Sequence, residues 1–217
     1  MRRLKQLRTY EVALEKAGFG PVAGIDEAGR GACFGPITIA ACVLPLRPIA
    51  ALEGLTDSKQ LTHKRREELY TAIVDTAVAH SVIHIPAADI DSRGIQNANL
   101  DGARRAIAAL GITPGYVLVD AFRVPGLTAP QLPIVGGDYT VRCIAAASVL
   151  AKVSRDRLVT EMGEEYPGYG VDKHKGYSTR AHMDAVRRHG ASAQHRYTYA
   201  NVAAAHETYM RSTNDER

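Results

Sequence analysis

The chain has 217 residues, of which 46% are hydrophobic and 23% are charged, a composition typical of a globular protein with one buried core. It contains no apolar run near the roughly 20 residues that cross a bilayer and no apolar stretch of the kind that begins a secretory signal, so we expect a cytoplasmic protein without a membrane partner. The net charge of +4 is compatible with a nucleic-acid partner but does not require one.

The hydrophobic pattern predicts alternating strands and helices. An N-terminal helix over residues 1–20 ends at two closely spaced glycines. Short apolar or β-branched runs predict five strands, at 22–26, 36–44, 81–85, 116–120 and 132–135. Helices are predicted at 62–79 and 96–110, within 139–165, and at 179–189 and 197–210. This order favours an α/β fold with a mixed sheet, antiparallel where the early strands adjoin and parallel where helices cross over.

Two adjacent acids, Asp26 and Glu27, end the first predicted strand and precede Gly29-Arg30-Gly31. Because side chains alternate along a strand, one carboxylate should point toward the core, where its charge is costly unless it is paired or binds a metal. A solvated turn in which Arg30 neutralises one acid explains the same residues equally well. The glycines fit either a tight turn or a close approach of the backbone to a sugar or phosphate.

Two further acids lie near the ends of predicted elements. Asp120 closes the apolar run YVLVD, and Asp138 follows Gly136-Gly137 just before the alanine-rich helix. Asp120 is typical either of a turn or N-cap or of a catalytic group beyond the carboxyl end of a strand. Asp138, taken singly, is typical of an N-cap.

The four acids suggest a site for hard divalent cations, since the sequence has no Cys or His cluster of the kind that binds zinc. Carboxylate oxygens suit Mg²⁺ or Mn²⁺, which assist phosphoryl transfer in pairs about 3.5–4 Å apart. Periodicity alone does not establish that the four acids converge. The three cysteines, Cys33, Cys42 and Cys143, are odd in number and lack CxxC spacing, so we expect reduced, buried thiols.

Five motifs in a fixed order resemble those of the ribonuclease HII family, the bacterial type 2 ribonuclease H. They are DEAGRG at 26–31 followed by Gly35-Pro36, DSKQL at 57–61, VDAF at 119–122, GGD with IAAASVLAKVSRD at 144–156, and HKGYST at 174–179. Each motif alone is weak, but the ordered set covers most of residues 20–180 and is specific. Ser178 departs from the glycine of many relatives, and this departure does not concern the four acids.

The resemblance implies a fold and a division of the chain. The expected core is a ribonuclease H-like mixed five-stranded sheet flanked by helices, with a helical C-terminal part. The division is an N-terminal helix at 1–20, a catalytic core at 21–165, a substrate-binding loop with C-terminal helices at 166–210, and a disordered tail at 211–217. The family expectation for the oligomeric state is a monomer.

The resemblance also implies an activity. The family's enzymes hydrolyse the RNA strand of RNA–DNA hybrids and cut 5′ of single ribonucleotides embedded in duplex DNA, leaving 3′-hydroxyl and 5′-phosphate ends, with a role in removing ribonucleotides from DNA. Asp26, Glu27, Asp120 and Asp138 match the carboxylates that hold Mg²⁺ or Mn²⁺, two ions per site.

Further residues match the family's substrate contacts. Gly29-Arg30-Gly31 resembles the segment that contacts the 2′-hydroxyl and phosphate, the groups by which a site recognises a ribonucleotide. Tyr177 matches the tyrosine that stacks on the sugar following the ribonucleotide. Lys59, Lys152 and Arg155 are candidate phosphate contacts, although solvated surface charges explain them equally well.

Some C-terminal residues have two interpretations each. A basic cluster either lines the nucleic-acid duplex or is a solvated face; it comprises Arg187, Arg188, His189 and Arg196. His174 lies close to Tyr177, and we expect a hydrogen-bonding loop residue there rather than a catalytic one.

Two other functions agree less well with the sequence. A nuclease of the ribonuclease HIII type is disfavoured, because only 25 residues precede Asp26 and the extra N-terminal substrate-binding domain of that type needs more. A non-catalytic nucleic-acid-binding module would be expected to lack at least one carboxylate, and all four are present. The sequence therefore favours the catalytic interpretation.

Overall fold

The structure, a computed structural model, describes residues 7–215, so the first six residues of the predicted N-terminal helix lie outside it. The strands are β1 (Val22–Ala28), β2 (Ile37–Val43), β3 (Ala79–Ile85), β4 (Tyr116–Asp120) and β5 (Gln131–Ile134). The helices are α1 (Thr9–Lys16), α2 (His63–Thr76), α3 (Ala87–Arg93), α4 (Ile95–Ala108), α5 (Gly137–Thr140), α6 (Arg142–Glu165), α7 (Val171–His174), α8 (Arg180–His189) and α9 (Ala200–Asp215).

The strands form one mixed sheet with the order β3-β2-β1-β4-β5. β1 pairs antiparallel with β2 and parallel with β4, and β4 pairs parallel with β5. All residues of β2 are buried, which explains why its sequence is continuously apolar rather than alternating. The predicted mixed sheet is confirmed, although residues 121–130, which join the parallel strands β4 and β5, contain no helix.

Threonine side chains cap the first turns of two helices. Thr62 caps α2 by accepting a hydrogen bond from the Arg65 amide at 3.2 Å, and Thr179 caps α8 by accepting one from the His182 amide at 3.2 Å. Each hydroxyl satisfies an amide that has no partner within the helix. Both helices therefore begin within one residue of the predicted starts at 62 and 179.

The helices differ from the predictions mainly in two places. Helix α3 was not predicted, because its seven residues are too few to show a clear 3.6-residue period. The long helix predicted within 139–165 is confirmed as α6, and Val141, in an extended conformation, separates it from the short helix α5. The tail predicted as disordered from residue 211 is helical to Asp215, with Arg211 paired to Glu207 one turn earlier; residues 216–217 lie outside the described part.

The described chain divides into two compact units. Unit 1 comprises residues up to 28, 38–83 and 100–154. Its core packs the small side chains of α6, from Ala145 to Ala151, with Ala40 and Cys42 of β2 and Leu69 and Ile73 of α2.

Unit 2 comprises residues 29–37, 84–99 and 155 onward. Two clusters of its described residues pack in the core. One packs Cys33 with Met183, Val186 and Val202, and the other packs Phe34 with Val159 and Val171. The three cysteines of the chain are free and buried, as predicted.

Within residues 7–215, no helix is both long enough and apolar enough to cross a bilayer.

Candidate active site

Strand pairing in unit 1 brings Asp26 and Asp120 to the same edge of the sheet. β1 and β4 run parallel, with Ile25 opposite Val119, so the next residues of the two strands are Asp26 and Asp120. Parallel strands end at a common edge, which is where α/β proteins place their reactive groups. The sheet therefore accounts for the proximity of acids that are 94 positions apart in the chain.

Asp26 is a buried carboxyl with few groups to stabilise its charge. It is 5% exposed, and its Oδ1 accepts a hydrogen bond from the Glu27 amide at 2.7 Å. Burial raises the pKa of Asp26 well above its ordinary value, and the neighbouring charges of Glu27 and Asp120 raise it further, against hydrogen bonds from Ser148 and the Glu27 amide. The site is therefore short of positive charge.

Helix α6 approaches β1 very closely at Gly24. A Cβ atom there would lie 2.3 Å from the Cys143 carbonyl carbon, so any side chain at this position would collide with the helix backbone. This close approach lets Ser148, one and a half turns along α6, reach Asp26. The Ser148 hydroxyl also lies 3.0 Å from that of Ser58.

Asp120 is tied to the turn that carries Asp138. The Gly137 amide donates to Asp120 Oδ1 at 2.8 Å. Gly136, with a left-handed backbone, is the N-cap residue of α5, so the N-cap interpretation of Asp138 is wrong. The turn instead delivers Asp138 to the neighbourhood of Asp120, whose charge acts on it.

Asp138 has an unsatisfied oxygen. It is 4% exposed, and its Oδ1 is buried without a hydrogen-bond partner. Burial raises the pKa of Asp138 to about 6, with further contributions from the charges of Asp120 and Asp57 and from a hydrogen bond to Asp57, while Lys59 opposes the shift. A buried oxygen of this kind calls for a missing partner.

Lys59 and Asp57 belong to the same neighbourhood. The Asp57 carboxylate accepts from the Lys59 amide at 2.9 Å and begins a short 3₁₀ turn. Partial burial lowers the pKa of Lys59, but the charges of Asp57, Asp26, Asp138 and Asp120 outweigh it, and the net pKa is raised. Lys59 is thus a cation beside the acids, and its predicted phosphate contact stays a prediction. Asp57 was missed, although the DSK motif that was singled out contains it.

The donor set fits a hard divalent cation. Within residues 7–215, no three His, Cys, Asp or Glu side chains form a preformed metal cluster. However, Asp26 and Asp138 have raised pKa values, both feel Asp120, and Asp138 presents a buried oxygen without a partner. Carboxylates that repel one another in a buried place are stabilised by Mg²⁺ or Mn²⁺, which prefer oxygen ligands.

The Gly29-Arg30-Gly31 segment lies in unit 2, where Gly29 meets Arg155. Gly29 has φ +85°, and a Cβ there would lie 1.9 Å from Arg155 Nε, so this position admits only glycine. Arg30 and Gly31 are exposed, and the Arg30 guanidinium donates to Gln96 Oε1 at 2.6 Å. The backbone of the segment is therefore constrained at Gly29, while Arg30 and Gly31 are accessible to solvent.

The expectation that Arg155 contacts phosphate is not met. Arg155 is fully buried, and its nitrogens donate to the carbonyl oxygens of Pro36 at 2.9 Å, Lys175 at 2.9 Å and Phe34 at 3.0 Å. Its guanidinium carbon also lies 5.6 Å from the centroid of the Tyr177 ring. Arg155 thus supports the backbone of unit 2, because all these bonds are made inside the protein.

Arg196 likewise departs from the predicted basic cluster. It is fully buried and donates to the Gly35 carbonyl at 3.0 Å and to the Arg30 carbonyl at 2.9 Å. The other members of that cluster, Arg187, Arg188 and His189, are exposed on α8. Sequence alone gave no means to separate the buried arginine from the exposed ones.

The other predicted substrate residues have mixed environments. Tyr177 is 37% exposed in unit 2, so part of its ring is accessible. Lys152 is half-buried on α6 in unit 1. His174 makes a hydrogen bond as expected, with Nε2 3.0 Å from the Tyr169 carbonyl oxygen, but it is the last residue of the short helix α7 and not part of a loop.

This chain is similar to several known ribonucleases. A family model described as Ribonuclease HII matches residues 23–202. The protein named Ribonuclease HII from Corynebacterium efficiens is 66% identical over 215 residues, which cover 99% of this chain and 93% of that protein. The crystal structure of the ribonuclease H2 from Pyrococcus horikoshii superposes with a TM-score of 0.75 at 27% identity, covering 88% of this chain and 99% of that one.

A Bst-RNase HIII solved in complex with Mn²⁺ shares the fold at 20% identity and a TM-score of 0.67, covering 88% of this chain and 70% of that one. The predicted ribonuclease H-like fold is confirmed by these similarities.

Proposed function

Because the chain belongs to the ribonuclease HII family, we propose that it cuts the RNA strand of RNA–DNA hybrids and cuts 5′ of single ribonucleotides in duplex DNA. The chain is a hydrolase of the ribonuclease H class, and such enzymes act on nucleic acid and use divalent metals. The products of the proposed reaction carry 3′-hydroxyl and 5′-phosphate ends. The proposed role is the removal of ribonucleotides from DNA by a monomeric enzyme.

The single observation that carries the proposal is the coupled set of acids in unit 1. Asp26 and Asp138 have raised pKa values, both are affected by Asp120, and Glu27 adds its charge to Asp26. Asp138 also presents a buried oxygen that lacks a partner. Buried carboxylates with raised pKa values and an unpaired oxygen have the properties of metal ligands. We therefore assign Asp26, Glu27, Asp120 and Asp138 as the metal-binding residues.

Two divalent ions bound by these carboxylates would activate the attacking water and stabilise the leaving oxygen. The protein's own residues hold the acids in place: Ser148 and the Glu27 amide orient Asp26, and the Gly137 amide orients Asp120. Lys59 remains protonated among the acids and can hold a phosphate oxygen of the substrate. Preorganised groups of this kind reduce the cost of reaching the transition state.

Recognition of the ribonucleotide is assigned to unit 2. The exposed Arg30 and the accessible backbone at Gly31 would contact the 2′-hydroxyl and its phosphate. The exposed part of the Tyr177 ring would stack on the following sugar. Arg155 supports this surface from the interior, and Lys152 of unit 1 is a further candidate phosphate contact.

The direct experiment uses an end-labelled DNA duplex containing one ribonucleotide, incubated with the protein with and without Mg²⁺. We expect a single metal-dependent cut on the 5′ side of the ribonucleotide and none in an all-DNA duplex. Asp26→Asn and Asp120→Asn should abolish cutting while duplex binding survives. Asp75→Asn, which alters an exposed acid on α2, is the matched control and should cut normally. Undiminished cutting by either active-site variant would refute the assignment.

A further inference from the structure

Two buried histidines in unit 2 contact each other directly. His182 of α8 and His195, which precedes α9, are 0% and 1% exposed, and their Nε2 atoms lie 3.1 Å apart. Two imidazole nitrogens at hydrogen-bond distance require that one carries the proton and the other accepts it. The remaining contacts of the two rings decide which one donates.

The proton of His195 can be placed from its other nitrogen. The Ser192 amide donates to His195 Nδ1 at 2.9 Å, and a backbone amide can only donate. Nδ1 is therefore the acceptor, and the proton of the neutral His195 ring resides on Nε2. It follows that His195 donates to His182 Nε2.

The same reasoning continues through His182. Because its Nε2 accepts, its proton resides on Nδ1, which lies 3.0 Å from the carbonyl oxygen of Tyr177. The opposite tautomer would bring a lone pair of nitrogen against a lone pair of oxygen. The chain of donors thus runs from the Ser192 amide through His195 and His182 to the Tyr177 carbonyl.

This direction requires both rings to be neutral. Burial lowers the pKa of His182 to about 4 and that of His195 to about 3, and for each ring the proximity of another histidine contributes to the shift. A charged His195 would also place a proton on Nδ1 against the Ser192 amide. At neutral pH the direction is therefore fixed.

The receiving end of the chain is the backbone that carries the Tyr177 ring. The Tyr177 carbonyl also accepts from the Thr179 amide at 2.8 Å, and the Tyr177 amide donates to the His174 carbonyl at 3.0 Å. One residue earlier, the Gly176 carbonyl accepts from the Cys33 amide at 2.9 Å. Arg155 lies beside the ring itself. The Tyr177 ring therefore extends from a backbone that hydrogen bonds hold both before and after this residue.

We propose that His182 and His195 are positioning residues for substrate recognition: their directed hydrogen bonds fix the Tyr177 carbonyl and so orient the Tyr177 ring for stacking on the sugar next to the ribonucleotide. The role of the ring in stacking rests on the proposed function, whereas the hydrogen-bond chain does not. Neither histidine touches the substrate, and each acts through Tyr177.

The first test detects the protons in the full chain without metal or substrate. Long-range ¹H–¹⁵N correlation spectra of the ¹⁵N-labelled protein at pH 7 report the tautomer of each imidazole. We expect His195 protonated on Nε2 and His182 protonated on Nδ1, both neutral. A His182 ring protonated on Nε2, or either ring doubly protonated, would overturn the proposal.

The second test compares two variants at one position. His182→Leu removes the donor to the Tyr177 carbonyl, while His182→Asn keeps a side-chain amide near the place of Nδ1. For a duplex with one ribonucleotide, kcat/KM should fall about tenfold in the leucine variant and return to within about threefold of wild type in the asparagine variant. On a continuous hybrid both should stay within about twofold. His80→Leu, at an exposed histidine of β3, is the control and should change neither value.

Equal losses on both substrates in a folded His182→Leu protein would show a merely structural role and overturn the proposal, as would no loss on either. If His182→Leu does not fold, His195→Asn takes its place, since it keeps an acceptor for the Ser192 amide but removes the donor to His182. The same selective loss is then expected.

The proposed function can fail separately. A wild-type protein that never cuts at ribonucleotides would refute that function, while the tautomers would still test the hydrogen-bond chain. Hydrogen exchange at the Thr179 amide gives a further readout that is independent of activity. Exchange should be faster in His182→Leu than in wild type and restored in His182→Asn, and equal rates in all three proteins would overturn the positioning role.

Discussion

Replacing Asp138 by asparagine should stabilise the metal-free protein at neutral pH. The folded protein holds the pKa of Asp138 at about 6, against an ordinary value of 3.8. Because the native state binds this proton more tightly than the unfolded chain, Asp138 does not oppose folding below about pH 4. It costs stability progressively as the pH rises toward 6, and above that the cost is constant. Asparagine is neutral throughout and avoids this cost.

The size of the effect follows from the pKa and from the position of the side chain. A rise in the pKa of Asp138 from 3.8 to about 6 corresponds to roughly 3 kcal/mol of unfolding free energy. Asp138 is 4% exposed but lies only shallowly below the surface, so solvent screening reduces this to about 1.5 kcal/mol. For a chain of this size the melting temperature should rise by about 3–6 °C.

The assay is thermal and urea unfolding of wild type and Asp138→Asn in EDTA, at pH 7.5 and at pH 4. The gain in unfolding free energy of Asp138→Asn should be present at pH 7.5 and largely lost at pH 4, close to the ordinary pKa of the carboxyl. Adding Mg²⁺ should stabilise wild type more than the variant, because the variant has lost a ligand. Asp75→Asn serves as the control. A variant less stable than wild type at pH 7.5 in EDTA, or a gain that does not depend on pH, would refute the reasoning.

Three further predictions concern unit 2. Gly29→Ala should destabilise the protein by about 3 kcal/mol in urea unfolding, because the φ of Gly29 is positive and the added Cβ would collide with Arg155. Gly31→Ala is the control, since the space around Gly31 is open, and it should change the free energy of unfolding by less than about 0.5 kcal/mol. Equal effects of the two substitutions would contradict this prediction. Arg155→Lys should cost about 2–3 kcal/mol in the same assay, since one ammonium cannot replace bonds to three carbonyl groups; an unchanged unfolding midpoint would count against it. Tyr177→Ala should reduce kcat/KM at an isolated ribonucleotide about tenfold more than on a continuous hybrid, and equal losses would exclude a role in reading the junction.

The sheet and its acids could be predicted because they depend on local pattern. An apolar run ending in Asp is visible in the sequence for both Asp26 and Asp120, and parallel pairing of the two strands then brings the acids together. The association of Lys59 with these acids could not be predicted in the same way, because its neighbours come from distant segments of the chain. Composition and spacing do not encode such contacts.

The buried arginines show a different limit. Helix α6 is buried throughout from Arg142 to Ala151, and its second half mixes buried, half-buried and exposed charged residues, so its sequence has no clear polar face that would separate Arg155 from the exposed Arg157. The contact of His182 with His195 is equally invisible in the sequence, since the two residues lie on a helix and a loop and follow no period. Tertiary packing alone decides these positions.

The backbone between Gly29 and Pro36 has a thermodynamic consequence for binding. Its carbonyl groups at Arg30, Phe34, Gly35 and Pro36 all accept hydrogen bonds from the two buried guanidinium groups, although the stretch is neither helix nor ladder. This irregular loop is therefore not flexible, because its carbonyl groups are held by hydrogen bonds. The conformational freedom of this loop is lost when the protein folds, so a ribonucleotide docking on it would encounter a surface already shaped and would not have to order it.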